Sequence, residues 1–213
     1  MKKRLITELD IRKIERAGST VVVFDDNCIF TPLALDRIKE NKLTLVKKKL
    51  DSIANPEASV CFNPKNKIAI GSDHTGFRLK NILLKYLNEK GIETIDSGTY
   101  DENSCDYPDF AEKVSQFILS GQAERGILID ATGIPSAITA NKFKGIRAAT
   151  CYNEFSAKSS REHNNSNIIV LGARSLGEET IKSILNAWLV TPFLGGRHQK
   201  RLDKITAIEI KNK

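Results

Sequence analysis

Short apolar runs alternate with longer amphipathic stretches over most of this chain. From residue 67 onward the apolar runs have the length of strands, and the stretches between them have the pattern of helices. This alternation is typical of a parallel sheet with helices on both faces. It predicts an α/β domain over residues 67–213, with a doubly wound, Rossmann-like sheet of five parallel strands. The strands are expected at 67–71, 93–96, 126–129, 146–150 and 168–171, and the helices at 77–90, 110–120, 136–141, 154–161 and 178–189.

The pattern changes before residue 67. Residues 51–66 contain two prolines and several turn-forming residues, which indicates a linker. Residues 1–50 are predicted to form a small α/β appendage, and about fifty residues bury too little surface to be stable alone. We therefore expect this appendage to dock on the main domain, on a partner or on another subunit. Its predicted elements are a helix starting between Thr7 and Asp10, a strand at 21–24, a turn at 25–27 and a helix opening at Thr31 and Pro32.

Composition narrows the classes of protein to consider. No apolar run approaches the roughly 20 residues of a membrane span, and the N-terminus lacks the apolar core of a signal peptide, so a cytoplasmic location is expected. The net charge is +7, but basic residues are interleaved with acidic ones, which argues against a nucleic-acid partner. An excess of positive charge also suits a phosphate-ester ligand. Four scattered cysteines without a CxxC pair indicate reduced thiols rather than a zinc site: Cys28, Cys61, Cys105 and Cys151.

Polar residues follow three of the predicted strands. In doubly wound folds, ligands bind beyond the carboxyl ends of the strands. The segments 72–74, 130–133 and 172–174 are therefore expected to lie together on one rim of the sheet, which makes that rim the candidate binding site.

Six short motifs along the main domain occur together in one order. Together they resemble the ribose-5-phosphate isomerase B family, which also includes galactose-6-phosphate isomerase subunits. The resemblance extends from about Lys67 to Glu209. The motifs are Gly71-Ser-Asp-His-Thr-Gly76, Asp106-Tyr-Pro-Asp-Phe-Ala111, Ala140-Asn-Lys142, Arg161-Glu-His-Asn-Asn165, Leu171-Gly-Ala-Arg174 and Gly195-Gly-Arg-His-Gln-Lys-Arg201.

The resemblance implies a reaction and an assembly. It implies interconversion of an aldose and a ketose phosphate, ribose 5-phosphate and ribulose 5-phosphate in the first place, through an enediolate. It also implies a homodimer or higher homo-oligomer with the sugar-phosphate site at the subunit interface, and neither metal nor other cofactor. Such a reaction needs ring opening, a base near the carbon-bound hydrogen, donors for the enediolate oxygens and a phosphate clamp.

The resemblance assigns the ring-opening and phosphate-binding roles. His163 matches the residue that opens the sugar ring, and imidazole suits this because its reference pKa is about 6.5. Asn164 matches a neighbour that hydrogen-bonds the substrate or the enediolate. Arg197 and Arg201 match part of the phosphate clamp, and at a spacing of four they would share a helix face. Read without the family, His163 would cap a helix end and the two arginines would form a solvated face.

Further positions match substrate-binding residues. His74 matches a histidine that contacts the substrate or its phosphate, and Asp73 matches a carboxylate that holds a sugar hydroxyl. Asp73 could also cap the following helix, and the two roles are compatible. Tyr107 matches a residue of the pocket wall. Thr132 and Gly133 match the turn that stabilises the enediolate, whereas His198 is expected to be structural.

The chain departs from the family at this turn. The family usually has Cys-Gly-Thr-Gly-x-Gly, with the cysteine as the base, whereas this chain has Asp130-Ala-Thr-Gly-Ile-Pro135. In one interpretation Asp130 is the base, since no other acid occurs from Ala131 to Asn141. In a second, the protein binds a phosphosugar without isomerising it, because Pro135 has no N–H and Ala131 would be strained at a positive φ. In a third, the substrate differs, for example a six-carbon phosphosugar. Asp130 could also be only a helix N-cap.

The appendage has a weaker resemblance of its own. The segments 5–11 and 29–36 are similar to N-terminal extensions of some enzymes associated with bacterial microcompartments. This predicts docking to a microcompartment shell or to a pathway enzyme through residues 1–50. The alternative is a stabilising lid or dimer arm.

Overall fold

The computed structural model describes residues 4–16, 20–24, 28–47 and 67–212. The chain divides into two compact units, 1–57 and 58–213, so the division falls within the predicted linker. The linker itself and the predicted turn at 25–27 lie outside the described residues. No helix in the described ranges is long and apolar enough to cross a bilayer.

The described residues of the first unit form two helices and four short strands. Strand β1 pairs with β3 and β2 pairs with β4, both in parallel. The predicted helix starts are confirmed: Asp10 accepts a hydrogen bond from the Thr7 N–H at 2.9 Å, and the Thr31 hydroxyl accepts from the Ala34 N–H at 3.3 Å. The elements are β1 (Arg4–Ile6), α1 (Glu8–Arg16), β2 (Val21–Phe24), β3 (Cys28–Phe30), α2 (Pro32–Glu40) and β4 (Thr44–Lys47).

The second unit has the predicted fold class. Its five strands form one parallel sheet in the order β6-β5-β7-β9-β8, which confirms the doubly wound α/β prediction. The elements are β5 (Ile68–Ser72), α3 (Phe77–Glu89), β6 (Thr94–Asp96), α4 (Tyr107–Leu119), β7 (Arg125–Asp130), α5 (Pro135–Ala140), β8 (Ala148–Thr150), α6 (Glu154–Asn164), β9 (Ile168–Gly172), α7 (Glu178–Val190) and α8 (Arg197–Lys211).

Successive strand residues face opposite sides of this sheet, and each side has its own apolar core. Ile68, Ile70, Ile127 and Ile129 pack with the helices α3, α6 and α7. The intervening strand residues pack with α4 and α5. Both faces are thus covered, which explains why the strands are continuously apolar rather than alternating with polar residues.

The strand order reverses between β5 and β7. From β5 the chain moves to β6 on one side, and it then returns to β7 on the other side of β5. A reversal of this kind opens a crevice at the carboxyl ends of the two strands, where ligands of such sheets bind. Asp73, directly after β5, and Asp130, the last residue of β7, are therefore at the crevice.

Candidate active site

The three polar segments predicted to share a rim are in contact. The Asp73 N–H donates to the Ile129 carbonyl at 3.2 Å, which joins the ends of β5 and β7. The Ala173 N–H donates to the Asp130 carbonyl at 2.8 Å, and the Arg174 N–H donates to that of Ala131 at 3.0 Å. The predicted rim is confirmed, and it is held by backbone hydrogen bonds between the three turns.

Asp73 is a buried carboxylate with one oxygen already used. The residue is 7% exposed, and its Oδ1 accepts from the N–H groups of Thr75 and Gly76 and from the Thr75 hydroxyl, at 2.9, 3.1 and 2.6 Å. Its Oδ2 forms no hydrogen bond to any residue that the structure describes. Asp73 therefore anchors the turn before α3 and still has an acceptor for a ligand hydroxyl.

His74 lies beside a cysteine that sequence reasoning did not select for the site. The His74 Nδ1 accepts from the Cys105 N–H at 3.3 Å, and the Cys105 Sγ is 4.0 Å from the same nitrogen. Both side chains are partly exposed. The only sequence signal for Cys105 is its place directly before the motif that contains Tyr107. Tyr107 itself is the first residue of α4 and is partly buried.

Asp130 binds the amide groups of its own turn. Its Oδ1 accepts from the N–H groups of Thr132 and Gly133 at 2.9 and 2.6 Å, and its Oδ2 accepts from the Ser136 N–H at 3.1 Å. The residue is 1% exposed. This geometry is that of a loop anchor and helix cap. It does not favour the role of a base, because both carboxylate oxygens already accept hydrogen bonds and the residue is almost fully buried.

Two hydroxyl groups from the segment that begins at the end of β8 also hold the turn after β7. The Thr150 hydroxyl donates to the Gly133 carbonyl at 2.6 Å, and the Tyr152 hydroxyl donates to the Thr132 carbonyl at 3.2 Å. Gly133 has φ +81°, and a Cβ there would lie 3.0 Å from the Thr150 Cγ2, so only glycine fits. Ala131, in contrast, does not adopt a positive φ, so the strain considered for it is not present.

His163 belongs to a second cluster of residues. It stacks on His198 with ring centroids 4.2 Å apart, and the Ser159 hydroxyl lies 3.1 Å from its Nδ1. His198 is buried, and its Nδ1 has no hydrogen-bond partner in the described part of the chain. Arg197 and Arg201 lie in the first two turns of the neighbouring helix α8. Both are exposed, so both could contact an anion.

The surroundings of His198 disfavour its charged form. Burial lowers the pKa of His198, and the nearby His163, Arg197 and Arg201 lower it further, while Glu162 opposes them. These effects favour the neutral imidazole, and the stacking of His198 on His163 is consistent with the structural role expected for it.

The two clusters lie at opposite ends of the parallel strands: the rim is at the carboxyl ends, and the His163 cluster is at the amino ends. Helix α6 starts after the carboxyl end of β8 and returns to the amino end of β9, so His163 and Asn164 in its last turn are at the amino edge. The Arg147 Nε, just before β8, donates to the Asn164 carbonyl at 3.1 Å, which fixes that end. An 11-residue helix spans about 16 Å. One chain therefore does not bring His163 or Asn164 to Asp73 and Asp130.

Comparisons with known proteins agree with the order of the motifs and with the fold. A family model described as Ribose/Galactose Isomerase matches residues 68–205. The chain belongs to this family. The matched region is the second unit almost entirely, whereas the first unit lies outside the match.

Individual members of the ribose/galactose isomerase family are similar over nearly their whole length. Ribose-5-phosphate isomerase B of Escherichia coli K12 is 47% identical over 143 residues, which are 67% of this chain and 96% of that protein. A D-erythrulose-4-phosphate isomerase of Pectobacterium atrosepticum is 43% identical over 149 residues, 68% of this chain and 97% of its own. The solved structure of Clostridium thermocellum ribose-5-phosphate isomerase B has a TM-score of 0.69 at 48% identity and covers 69% of this chain and 99% of its own.

Within the described ranges, no three His, Cys, Asp or Glu side chains are grouped closely enough to hold a metal ion. The functional groups seen on the rim are the carboxylates of Asp73 and Asp130, the His74 imidazole, the Cys105 thiol and the backbone amides of the turn at 130–133.

Proposed function

We propose that this protein interconverts the aldose and ketose forms of a phosphorylated sugar. The observation that carries the proposal is the rim at the strand-order reversal, where Asp73, His74 and the 130–133 turn meet in a chain of the ribose/galactose isomerase family. An unpaired carboxylate oxygen and an imidazole at one crevice suit a polyhydroxy ligand whose protons must be moved. The substrate class is a sugar phosphate, and the intermediate is an enediolate.

The roles of the remaining residues follow from their chemistry. His163 would open the sugar ring by moving a proton between the ring oxygen and the anomeric hydroxyl. Asn164 would hydrogen-bond the open chain, and Arg197 and Arg201 would bind the phosphate through their guanidinium groups. Tyr107 would form part of the pocket wall. These assignments remain predictions from the sequence, which the exposure of both arginines supports.

We propose that two copies of the chain build each site. The rim residues and the His163 cluster lie at opposite edges of one sheet, so one chain cannot present both to a single small sugar. A two-fold dimer that sets the rim of one subunit against the amino edge of its partner would complete two equivalent sites. A homodimer is the smallest assembly that meets this requirement.

The contacts of Asp130 bear on which residue is the base. Asp130 as the base stays a prediction, and its three amide hydrogen bonds speak against it. The same hydrogen bonds favour the second candidate function, a phosphosugar-binding protein without turnover. In that case the N–H groups of Thr132, Gly133 and Ser136 are already bound to Asp130, and Pro135 has no N–H to offer an oxyanion.

An exchange experiment distinguishes these functions. The protein is incubated in deuterated water with ribose 5-phosphate, and in parallel with four- and six-carbon aldose phosphates, and deuterium at C2 is followed by NMR. We expect exchange with ribose 5-phosphate, since relatives that cover most of this chain carry that name. Measurable binding without exchange of any sugar would favour the binding protein. Exchange that is unchanged in Asp130→Asn would remove Asp130 as the base.

For the first unit we propose docking to a microcompartment shell or pathway enzyme, within a cytoplasmic location. The unit has an apolar core of its own, and it also exposes Leu5, Ile29 and Leu33. A variant without residues 1–60 should lose association with such a partner in a pull-down while keeping isomerase activity. If the association is unchanged, the unit is a lid or dimer arm instead.

A further inference from the structure

The rim contains a thiol–imidazole pair. Cys105 lies between β6 and α4, and its Sγ is 4.0 Å from the His74 Nδ1, within hydrogen-bond range for sulfur. The same nitrogen lies 3.3 Å from the Cys105 backbone nitrogen and 3.3 Å from the Cys105 carbonyl oxygen. In the tautomer that has the ring proton on Nε2, Nδ1 accepts from the Cys105 N–H, and the thiol proton can pass to the imidazole.

The pair is linked to Asp73 through the chain, because His74 directly follows Asp73 in the turn after β5. The Asp73 N–H is bound to the Ile129 carbonyl at the end of β7. Asp73 is more than nine-tenths buried and its Oδ2 has no partner among the described residues, so this oxygen is available to a ligand hydroxyl.

The other candidate for a base on this rim is not accessible. Asp130 is 1% exposed and accepts three backbone N–H groups, so a sugar carbon could reach it only after the turn had opened. Cys105 and His74 are both partly exposed. Among the described residues of the second unit, the other thiol is that of Cys151, which is 1% exposed and whose pKa is raised by burial, so it is not a rival.

We propose that Cys105, with His74 as its proton acceptor, is the group that moves the carbon-bound proton in the isomerisation. This rests on the proposed function. The thiol proton passes to Nδ1, which gives a thiolate and an imidazolium with no change in net charge. The thiolate takes the C2 hydrogen as a proton, the C2–H electron pair forms the C1–C2 double bond, and O1 takes the imidazolium proton.

The second half of the reaction restores the pair. The O2 hydroxyl returns its proton to the imidazole and its electrons form the C2 carbonyl, while the thiol delivers its proton to C1. C2 is oxidised and C1 is reduced within one molecule, so no external oxidant or reductant is needed. The thiolate and imidazolium are regenerated for the next substrate molecule.

Replacing the thiol tests this role. We expect Cys105→Ala to slow C2 exchange of ribose 5-phosphate by about 100-fold or more, with the Kd for the sugar within about twofold of the wild type. Cys105→Ser should be equally slow, which excludes loss of volume as the cause. Cys28→Ala, in the first unit, is the matched control and should keep the wild-type rate.

Alkylation gives a second readout that does not depend on turnover. Iodoacetamide is added at neutral pH, and modification of the Cys105 peptide is followed by mass spectrometry. His74→Asn should slow this modification at least about tenfold, and ribose 5-phosphate should protect Cys105 in the wild type. Modification that is insensitive to both would overturn the pairing.

The outcomes separate the two proposals. Exchange that persists at the wild-type rate in Cys105→Ala overturns the role of Cys105 and leaves the isomerase function intact. Absence of exchange in the wild-type protein with every sugar phosphate overturns the isomerase function, and the role of Cys105 as a base with it.

Discussion

At the scale of single residues, Asp130 differs in environment from the other rim carboxylate. Both lie at the carboxyl end of a central strand, but Asp130 has both oxygens bound to backbone N–H groups, whereas Asp73 uses only Oδ1. A carboxylate bound in this way replaces an external anion at the amide groups of the turn. Asp130 is thus first of all a structural element of the turn.

We expect Asp130→Ala to lower the free energy of unfolding by about 2 to 4 kcal/mol, because three backbone N–H groups, two of them in buried contacts, would lose their acceptor. Asp130→Asn should cost less, since its amide oxygen can still accept from Thr132 and Gly133. Urea denaturation measures both. The matched control is Asp203→Ala on the exposed face of α8, which should stay within about 0.5 kcal/mol of the wild type. Equal stability of Asp130→Ala and the control would contradict the anchor.

His198 gives the stability a dependence on pH. Its pKa is lowered in the folded protein by burial and by His163, Arg197 and Arg201, against the opposing effect of Glu162. The unfolded chain therefore binds more protons near its reference pKa of about 6.5, so stability falls as the pH decreases through that value.

The measurement for His198 compares unfolding free energies between about pH 8 and pH 5.5. His198→Asn cannot titrate, so we expect it to lose less stability over this range than the wild type. Parallel pH profiles for the two proteins would show that the environment of His198 does not penalise its charge.

Part of the rim could be predicted from single residues. Polar residues directly after apolar strands placed Asp73 and Asp130 together, because parallel strands end at the same edge. Cys105 was missed because it follows no central strand, and only the folded segment before α4 brings it to His74. The amide contacts of Asp130 depend on the path of its turn, which the pattern of apolar residues does not specify.

At the scale of elements, the sequence predicted the presence of most strands and helices of the second unit more accurately than the residues at which they begin and end. Helix α4 starts at Tyr107 rather than 110, because Pro108 is accommodated in its first turn. Helix α6 continues past 161 to Asn164 and ends where Asn165 adopts a left-handed conformation with φ 45°. The strands β1, β3 and β4 were not predicted from the sequence.

A buried ion pair joins α3 to the edge strand β6. The Lys80 Nζ lies 2.6 Å from both oxygens of Asp96, and the Lys80 side chain is 1% exposed. We expect Lys80→Met to lower the free energy of unfolding by about 1 to 3 kcal/mol, less than for a fully buried pair because Asp96 can be hydrated. Chemical denaturation measures the change.

The control for this pair lies on the same helix. Lys85 and Glu89 form an exposed pair at 4.0 Å, so Lys85→Met should change stability by no more than about 0.5 kcal/mol. If both methionine variants had the same stability, burial would not be what gives the Lys80 pair its strength.

At the scale of the whole molecule, the proposed site is divided between subunits, and this can be tested by mixing. Asp73→Asn and His163→Asn should each be nearly inactive alone. Refolded together in equal amounts, half of the dimers would be mixed, and each mixed dimer would have one intact site. We expect about a quarter of the wild-type activity to return. A mixture as inactive as its components would place both residues in one chain's site.

The fold class of the second unit was predicted correctly from the sequence. Periodicity and motif order sufficed for five parallel strands, whereas the opposite placement of His163 and Asp73 became evident only from the direction of α6. A helix that connects parallel strands must run back across the sheet, so this placement is a consequence of topology. The proposed division of the site between two chains therefore follows from how α6 connects β8 to β9, and not from any one motif.

The self-contained turn after β7 has a consequence for ligand binding. Thr132, Gly133 and Ser136 are already bound to Asp130, and Gly133 is also held by Thr150. A ligand that enters the crevice does not have to order this segment, so no conformational entropy of the turn is lost on binding. The affinity for the sugar then comes from the contacts that the ligand itself makes. This turn forms the same wall of the crevice whether or not a ligand is bound.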